Sequence, residues 1–540
     1  MQRREDGFVI DVALPEGIWF YGFSSDGKFF PDDGERAIYS RDSYDFERVV
    51  SLCRVLVDFE PQHNSFCFGD VAHIRLRTKR GWEAALICDG KVRMRRVAED
   101  GLFSYHESKL PRGGSPDYSF RASGDDEEVT LGTFVLPSDE KKPAPEWVYE
   151  MVFYQIMVDR FTGEREFSAA GKKIPYLKRL GINGVYLTPI YRSRTYHGYD
   201  VEDYENIGEG YGGNDGFREF MRACNEAGIS VILDGVFHHT SFFHPWFQDI
   251  VERGRSSEFF ERYRVLKTPV EKGKNYETFF RVWMMPRLNH ESGNVRDFVR
   301  TNLIHWANEG VRGFRMDVAH GVPPGFWSYV RKGLPEDIYL MGEVMDDARL
   351  YVGNSFHGVM NYPLYDAILK FFYRESIRAE EFLNELEKLN AYYGPFEYSM
   401  YNFLDNHDVS RFLGLVKDER KYLCAMAFLF TYVGIPSIFY GDEIGLRGVK
   451  EKNEEQREPM RWEEGNEGLF SATRDLISLR RGSAALKLGL FTPITFRDRL
   501  IHYRREWNGE RIEARINFSQ KKAFLNGMNI DPYSYSIQKV

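Results

Sequence analysis

The chain has 540 residues, of which 43% are hydrophobic and 28% charged, with a formal net charge of −9. This length exceeds one ordinary domain, so two or three domains with a large core are expected. The acidic balance and the lack of an evident basic face argue against nucleic-acid binding, which needs clustered Lys and Arg. The five cysteines are odd in number, widely spaced and without a C-x-x-C pair, so neither a disulfide framework nor a zinc site is indicated.

The N-terminus and the longest apolar stretch bear on location. Residues 1–17 carry charges but no apolar run of about seven residues with a small-residue cleavage site, so no secretory signal is visible and a cytoplasmic protein is predicted. Residues 424–440 are apolar, but Gly434 and Pro436 interrupt them, and a spanning helix needs roughly 20 residues. They predict a buried helix followed by a strand, and no membrane partner is expected.

Residues 1–138 have the pattern of an antiparallel β-sandwich. Short alternating segments such as GIWFYGF, HIRLRT and WEAALIC are separated by Gly, Asp and Pro. Residues 136–147, LPSDEKKPAPEW, combine charge with three prolines, which neither a helix nor a sheet accommodates easily. This segment is the predicted boundary of the first domain.

In residues 139–482, apolar strand-like runs alternate with helical patterns. Near-continuous hydrophobicity is typical of strands covered on both faces, and stretches such as IPYLKRLG have helical spacing that ends at Gly. Eight such runs are found: 152–158, 184–190, 230–237, 313–319, 338–344, 358–364, 399–404 and 437–443. They predict an α/β fold, a parallel (β/α)8 TIM barrel. The long interval from Phe237 to Gly313 predicts a subdomain inserted after the third strand, at about 240–290. Residues 483–540 return to a β pattern and predict a C-terminal all-β domain.

Acidic residues follow several of these predicted strands. In a barrel, residues at the carboxyl ends of parallel strands meet on one rim, so Asp317, Glu343 and Asp408 are expected to converge. Arg315 and Asp317 are two apart on a strand and share a face, where the guanidinium would lower the pKa of the Asp317 carboxyl. A partly apolar wall beside Glu343 would raise the pKa of that carboxyl. Taken singly, these residues fit a buried ion pair or a hydrogen-bonded turn equally well.

Two carboxyl groups of opposite protonation are what retaining glycoside hydrolysis requires. One attacks the anomeric carbon and the other protonates the leaving oxygen, across a separation of about 5 to 5.5 Å. The aromatic content of 16% fits a sugar site, because pyranose rings stack on aromatic faces, although most of these side chains belong to the core.

Four stretches resemble the signature regions of the alpha-amylase family of glycoside hydrolases: ILDGVFHH at 232–239, GFRMDVAH at 313–320, GEV at 342–344 and LDNHD at 404–408. Residues 145–161, 285–289, 358–364 and 440–462 resemble the cyclomaltodextrinase, neopullulanase and maltogenic amylase branch. The resemblance implies hydrolysis of α-1,4 and some α-1,6 bonds in cyclomaltodextrins, malto-oligosaccharides and pullulan. It also implies a carbohydrate-binding-like N-terminal domain that joins two copies in a homodimer.

The resemblance implies a role for each matching residue. Asp317 matches the nucleophile, Glu343 the general acid and base, and Asp408 the carboxylate that binds and distorts the sugar. The matching substrate-site residues are Tyr199, Asp234, His239, Arg315 and His407. Each of these five has the alternative of a buried, satisfied polar residue.

Departures from the family pattern concern calcium binding and the acceptor side of the site, which binds the sugar beyond the cleaved bond. His238 replaces an Asn that helps bind calcium in many amylases, and the segment after Phe161 lacks an Asn- and Asp-rich loop, so no required calcium and no other cofactor is predicted. His320 and Gly321 replace the usual Asn-Glu, and Met345 replaces a common Trp. His320 and Met345 are therefore expected to modify substrate binding.

Other functions stay open at this level. An exo-acting α-glucosidase or a glucan transglycosylase fits the same motifs, and a non-catalytic carbohydrate-binding relative would share the fold. Magnesium-dependent enolate chemistry is disfavoured by Arg315, and a zinc site at His238, His239 and His244 matches no standard spacing. GEGYGG at 208–213 has the spacing of a dinucleotide loop, but DYENI before it makes a poor strand.

Overall fold

A computed structural model describes residues 59–540, apart from 62–64, 69–70, 89, 101–102, 112–116, 137–142, 165, 346 and 452–453. Before residue 59 it gives only the backbone of short strands: Gln2–Arg4, Gly7–Val9, Gly17–Tyr21, Phe23–Ser25, Lys28–Phe30, Ile38–Tyr39 and Val49–Val55. The packing predicted for residues 1–58 and most of the predicted boundary at 136–147 lie outside the described residues.

Two antiparallel sheets form the described part of the N-terminal region. One sheet contains Glu60–Pro61, Phe66–Phe68, Val71–Lys79, Arg95–Glu99 and Phe103–Pro111. The other contains Glu83–Ile87, Lys91–Arg93, Asp117–Gly124 and Glu127–Val135. Alternate residues of both sheets, including Ile74, Leu76, Leu86 and Phe120, share one buried cluster. Because both inner faces meet there, this is the predicted sandwich.

The predicted eight-stranded parallel barrel is confirmed. Its strands are β1 (Phe153–Ile156), β2 (Gly184–Leu187), β3 (Ser230–Gly235), β4 (Gly313–Met316), β5 (Tyr339–Gly342), β6 (Gly358–Val359), β7 (Tyr401–Asn402) and β8 (Ile435–Phe439). Neighbours follow the order β6-β5-β4-β3-β2-β1-β8-β7, and a parallel bridge between Met360 and Tyr401 closes the ring. All eight strands fall within or beside the predicted runs, and β6 and β7 are much shorter than predicted.

Helices surround the barrel and turn apolar faces towards it. Their bounds are Val158–Thr162, Phe167–Gly171, Ile174–Leu180, Gly213–Glu226, Pro245–Arg253, Gly293–Asn308, Pro324–Lys332, Tyr362–Ile368, Ala379–Tyr393, Phe412–Val416, Glu419–Thr431, Glu467–Gly482 and Ala484–Leu488. In Ile174–Leu180, the buried residues Ile174, Leu177 and Leu180 recur at helical spacing, and Gly181 ends the helix with a φ of 100°.

Two long connections interrupt the alternation. Between β3 and β4, the chain forms the helices Pro245–Arg253 and Gly293–Asn308 and a few isolated bridges, where the insertion was predicted. Between β2 and β3, Tyr191–Ser193 pairs antiparallel with Val201–Ile207. DYENI therefore lies in a strand after all, but in a ribbon outside the barrel, so the glycines after it do not open a dinucleotide-binding unit.

The C-terminal sheet packs against the barrel. Its strands are Leu490–Arg497, Leu500–Trp507, Glu510–Asn517 and Ser534–Lys539, with a small hairpin at Ala523–Leu525 and Met528–Ile530. Buried Arg505 donates to the carbonyl oxygens of Thr431 and Gly489, each at 2.8 Å. Glu419–Thr431 and β8 follow each other as predicted for residues 424–440. No helix in the described part of the chain has both the length and the apolar character to cross a bilayer.

Candidate active site

Four polar side chains lie at the carboxyl ends of three neighbouring barrel strands. Asp234 is in β3, Arg315 is in β4, Asp317 follows β4 directly, and Glu343 follows β5 directly. Since parallel strands deliver their carboxyl ends to the same side, these side chains converge although they are far apart in sequence. Asp408, in the loop after β7, joins them.

Arg315 is the centre of this group. Its side chain is 0% exposed. Nη1 donates to Asp234 Oδ1 at 2.9 Å and to Asp317 Oδ1 at 2.9 Å. Nη2 lies 2.6 Å from Glu343 Oε1 and 4.0 Å from Asp408 Oδ2. One rigid guanidinium therefore contacts the carboxyl groups predicted as nucleophile and as acid.

The charge balance differs from the expectation for Asp317. Burial raises the pKa of Asp317 well above its ordinary value, and the nearby Glu343 and Asp234 raise it further, while Arg315 opposes the change. Arg315 lowers the pKa as expected, but its single charge is shared among several carboxylates. The expected net lowering was therefore wrong. Asp317 shares one cation with the other buried acids, so its protonation depends on the whole group.

Glu343 has two polar partners in the structure. Besides Arg315, its carboxylate accepts a hydrogen bond from the Val318 backbone N–H, from N to Oε2 at 2.8 Å. Val318 has a φ of 46°, a left-handed conformation that is costly for a β-branched residue. This strained turn directs the N–H just after Asp317 to Glu343, so it links the two acids through the backbone.

Asp408 occupies the more open side of the group, with a side chain that is 25% exposed. Burial acts to raise the pKa of its carboxyl, but His407, Arg315 and Arg457 outweigh burial and hold that pKa below its usual value. Arg457 Nη2 lies 3.1 Å from Asp408 Oδ1, and His407 Nε2 lies 3.2 Å from Oδ2. Asp408 is therefore the acid of this group that most readily stays anionic.

Tyr199 and His407 form one wall of the site. Their rings stack with centroids 5.8 Å apart and 9° between planes. The Tyr199 hydroxyl donates to Asp234 Oδ2 at 3.0 Å, and the Tyr186 hydroxyl donates to the same oxygen at 2.6 Å. Burial lowers the pKa of His407 to about 3, so the imidazole is neutral at neutral pH.

The remaining predicted residues lie around this wall. His239 Nε2 is 3.0 Å from the Tyr199 carbonyl oxygen, its ring stacks on Phe279 at 4.8 Å, and burial lowers its pKa to about 3. His320 Nδ1 is 3.2 Å from the Glu343 carbonyl oxygen, so His320 supports the backbone of the acid. Met345 is 42% exposed beside the mouth of the site.

Sequence reasoning assigned no role to several residues of the site. Arg457 contacts Asp408 and also donates from Nε to the His407 carbonyl oxygen at 2.7 Å. Gln155 in β1 lies 2.7 Å, Nε2 to Nδ1, from His407. Both stand in segments quoted for the family resemblance, and a polar residue inside an apolar strand was the available signal for Gln155. Phe279 is one of many aromatics in the insertion and carried no such signal.

The zinc alternative finds no converging ligands. His244 Nδ1 accepts a hydrogen bond from the Trp246 backbone N–H at 3.2 Å and caps a helix, away from the contact between His238 and His239. Within the described residues, no group of three or more His, Cys, Asp or Glu side chains is arranged to hold a metal ion. The expectation that no calcium is required stays a prediction.

Comparisons with known proteins agree with this geometry. The family profile described as alpha amylase, catalytic domain, matches residues 167–482. A cyclomaltodextrinase of a Bacillus species is 32% identical over 518 residues, which covers 83% of this chain and 92% of that protein. Neopullulanase 2 of Thermoactinomyces vulgaris is 34% identical over 381 residues, covering 64% of this chain and 65% of that protein. The solved maltogenic amylase from S. marinus superposes with a TM-score of 0.81 at 23% identity, covering 97% of this chain and 90% of that one.

Proposed function

The chain belongs to the alpha-amylase family of glycoside hydrolases, as its four signature regions predicted, and on that premise we propose that it is a retaining α-glucan hydrolase of the cyclomaltodextrinase type. It opens α-1,4 bonds of cyclomaltodextrins and malto-oligosaccharides and cleaves some α-1,6 bonds, as in pullulan. The observation that carries the proposal is the contact of one buried guanidinium with both Asp317 and Glu343.

Asp317 is the nucleophile of the proposed mechanism. Its carboxylate attacks the anomeric carbon, and a new carbon–oxygen bond to Asp317 forms as the glycosidic bond breaks. Glu343 gives its proton to the departing oxygen. In the second half, Glu343 takes a proton from water, the water oxygen bonds to the anomeric carbon, and Asp317 is released. Attack requires that Asp317 is anionic and that Glu343 carries the proton it donates.

The surrounding residues bind and orient the sugar. Asp408 accepts hydrogen bonds from sugar hydroxyls, because the Arg457 guanidinium holds it anionic on the open side of the site. Tyr199 supplies a ring for stacking, and neutral His407 and His239 hydrogen-bond the reactive glucose. Arg315 and Asp234 fix Asp317. His320 and Met345 shape the acceptor side, where this chain departs from its family.

Hydrolysis of β-cyclodextrin tests the proposal. We expect the purified protein to release reducing ends from this ring, because ring opening requires an internal cut that an exo-acting α-glucosidase cannot make. Asp317→Asn removes the nucleophile and should abolish turnover with the fold intact. Asp215→Asn, at a side chain that is 96% exposed, is the matched control and should behave as wild type. Full turnover by Asp317→Asn would overturn the assignment, and glucose as the sole first product from linear maltodextrin would favour the exo-acting alternative.

We carry three expectations as part of the proposal. The enzyme needs no calcium, because the segment after Phe161 offers few oxygen ligands. It works in the cytoplasm, a reducing compartment that suits its four described cysteines, which are all free thiols. It forms a homodimer through the N-terminal domain, as the resemblance implies.

A further inference from the structure

The loop that follows Glu343 is held by the N-terminal sandwich of the same chain. The loop joins β5 to β6 and carries Glu343, Met345 and Arg349. Arg349 Nη1 donates to the Tyr105 hydroxyl at 2.7 Å and lies 3.6 Å from Asp100 Oδ2. Asp100 and Tyr105 belong to the N-terminal sheet, so more than 200 positions separate the partners in sequence.

The contact is built as a closed cluster. Asp100 Oδ2 accepts from the hydroxyls of Tyr105 at 2.9 Å and Tyr392 at 3.0 Å. The Arg349 guanidinium lies 4.0 Å from the centroid of the Tyr392 ring, and Arg349 Nε donates to Asp347 Oδ1 at 2.9 Å. Tyr105 is 2% exposed. Because the charges are partly buried and each has several partners, the cluster has one well-defined geometry, unlike an exposed ion pair.

The cluster lies close to the acid along the chain. Arg349 is six residues after Glu343, and the same loop is fixed at two further points. The Tyr393 hydroxyl accepts from the Ala348 backbone N–H at 3.2 Å, and the Tyr351 hydroxyl donates to the His320 carbonyl oxygen at 2.9 Å. His320 in turn contacts the Glu343 carbonyl oxygen. A shift of Arg349 would therefore be transmitted to Glu343 and to exposed Met345.

We infer that Asp100, Tyr105 and Tyr392 are positioning residues that act through Arg349 to place Glu343 for proton transfer. The N-terminal sandwich then contributes to the active site of the same chain. This inference rests on the proposed function, because it takes Glu343 as the acid and base. Proton transfer depends on sub-ångström placement of the donor, so loosening the loop costs rate on substrates that need protonation.

Substrates with different leaving groups separate positioning from general support. Opening of β-cyclodextrin expels the glycosidic oxygen of the next glucose, which needs the proton of Glu343, whereas α-maltosyl fluoride loses fluoride with little protonation. For Tyr105→Phe we expect kcat/KM on β-cyclodextrin to fall about tenfold, as for one lost charge-assisted hydrogen bond. We expect kcat/KM on α-maltosyl fluoride to stay within about twofold, because this constant reports the glycosylation step alone. Asp100→Asn and Tyr392→Phe should show the same split.

Tyr118→Phe is the matched control, since it deletes the same hydroxyl in the same sandwich, where its ring packs on Phe120 and Phe134. It should leave both substrates unchanged. Unchanged kinetics in all three cluster variants, or an equal fall on both substrates, would overturn the inference.

Hydrogen exchange of peptide 343–357 reports the cluster without turnover and should quicken in Tyr105→Phe. Failure of wild type to hydrolyse either substrate would instead refute the proposed function.

Discussion

At the scale of single residues, Arg315 controls the ionisation of the buried acids in the site. Its two terminal nitrogens contact Asp234, Asp317 and Glu343, and all four side chains are buried. A buried carboxylate without a partner is strongly disfavoured, so the acids depend on this one cation. The ionic state of Asp317 is therefore a property of the group and not of its nearest neighbour alone.

Arg315→Met tests this dependence. The variant leaves three buried acids without their shared cation, and we expect a loss of about 3 to 5 kcal/mol in the free energy of unfolding at neutral pH. The loss should shrink as pH falls, because protonation then neutralises the acids. Arg315→Lys keeps the charge but replaces the planar guanidinium with a compact ammonium group, which cannot contact several carboxyl groups in the same geometry. The variant should therefore recover much of the stability and little turnover. Urea denaturation at pH 5 and pH 8 measures both, and a pH-independent loss in Arg315→Met would contradict the account.

At the scale of elements, the loops after β7 and β8 are joined by a second buried acid pair. Asp405, after β7, and Asp442, after β8, are both buried, and Arg411 Nη1 donates to Asp442 Oδ1 at 3.0 Å. Burial raises the pKa of Asp442 well above its ordinary value, and Asp405 adds to the rise. Asp405 is three residues before Asp408 in the loop after β7.

The pair predicts a pH dependence of stability. The unfolded chain releases the proton near the ordinary Asp pKa of about 3.9, whereas the folded chain keeps it to a higher pH. The folded state thus binds more protons, and stability falls as pH rises from about 4 through the raised pKa of Asp442. Asp442→Asn removes the carboxyl whose pKa is raised, so its melting temperature should fall less steeply between pH 5 and pH 8. Parallel curves for wild type and variant would contradict this, and Asp215→Asn should follow wild type.

The elements also show what the sequence could predict. Continuous apolar runs marked all eight barrel strands, because strands buried on both faces leave no polar positions. Strand ends then located Asp317 and Glu343. The same reasoning overestimated the lengths of β6 and β7, because apolar residues continue past the strand ends. After β6, for example, Tyr362 and Leu364 are apolar but already belong to the next helix. The surroundings of Glu343 were beyond prediction, because they depend on the left-handed backbone of Val318 and on an arginine from another strand.

At the scale of the whole molecule, the N-terminal sandwich and the C-terminal sheet both pack against the barrel. The N-terminal sandwich contacts the barrel through the Arg349 cluster, and Arg75 Nη1 also donates to the Asn390 carbonyl oxygen at 2.8 Å. The C-terminal sheet is fixed through Arg505 to the chain just before β8. Each outer domain thus supports a segment that leads into the site, which is why we treat the chain as one catalytic unit.

Trapping of the glycosyl-enzyme shows which side chain is the nucleophile. 5-Fluoro-α-D-glucosyl fluoride transfers its sugar to the nucleophile, and the ring fluorine slows the release. After proteolysis and mass spectrometry, the account predicts one added fluoroglucosyl group on the peptide that contains Asp317, and none in Asp317→Asn. An adduct on Glu343 or Asp408, or turnover without any covalent adduct, would contradict it.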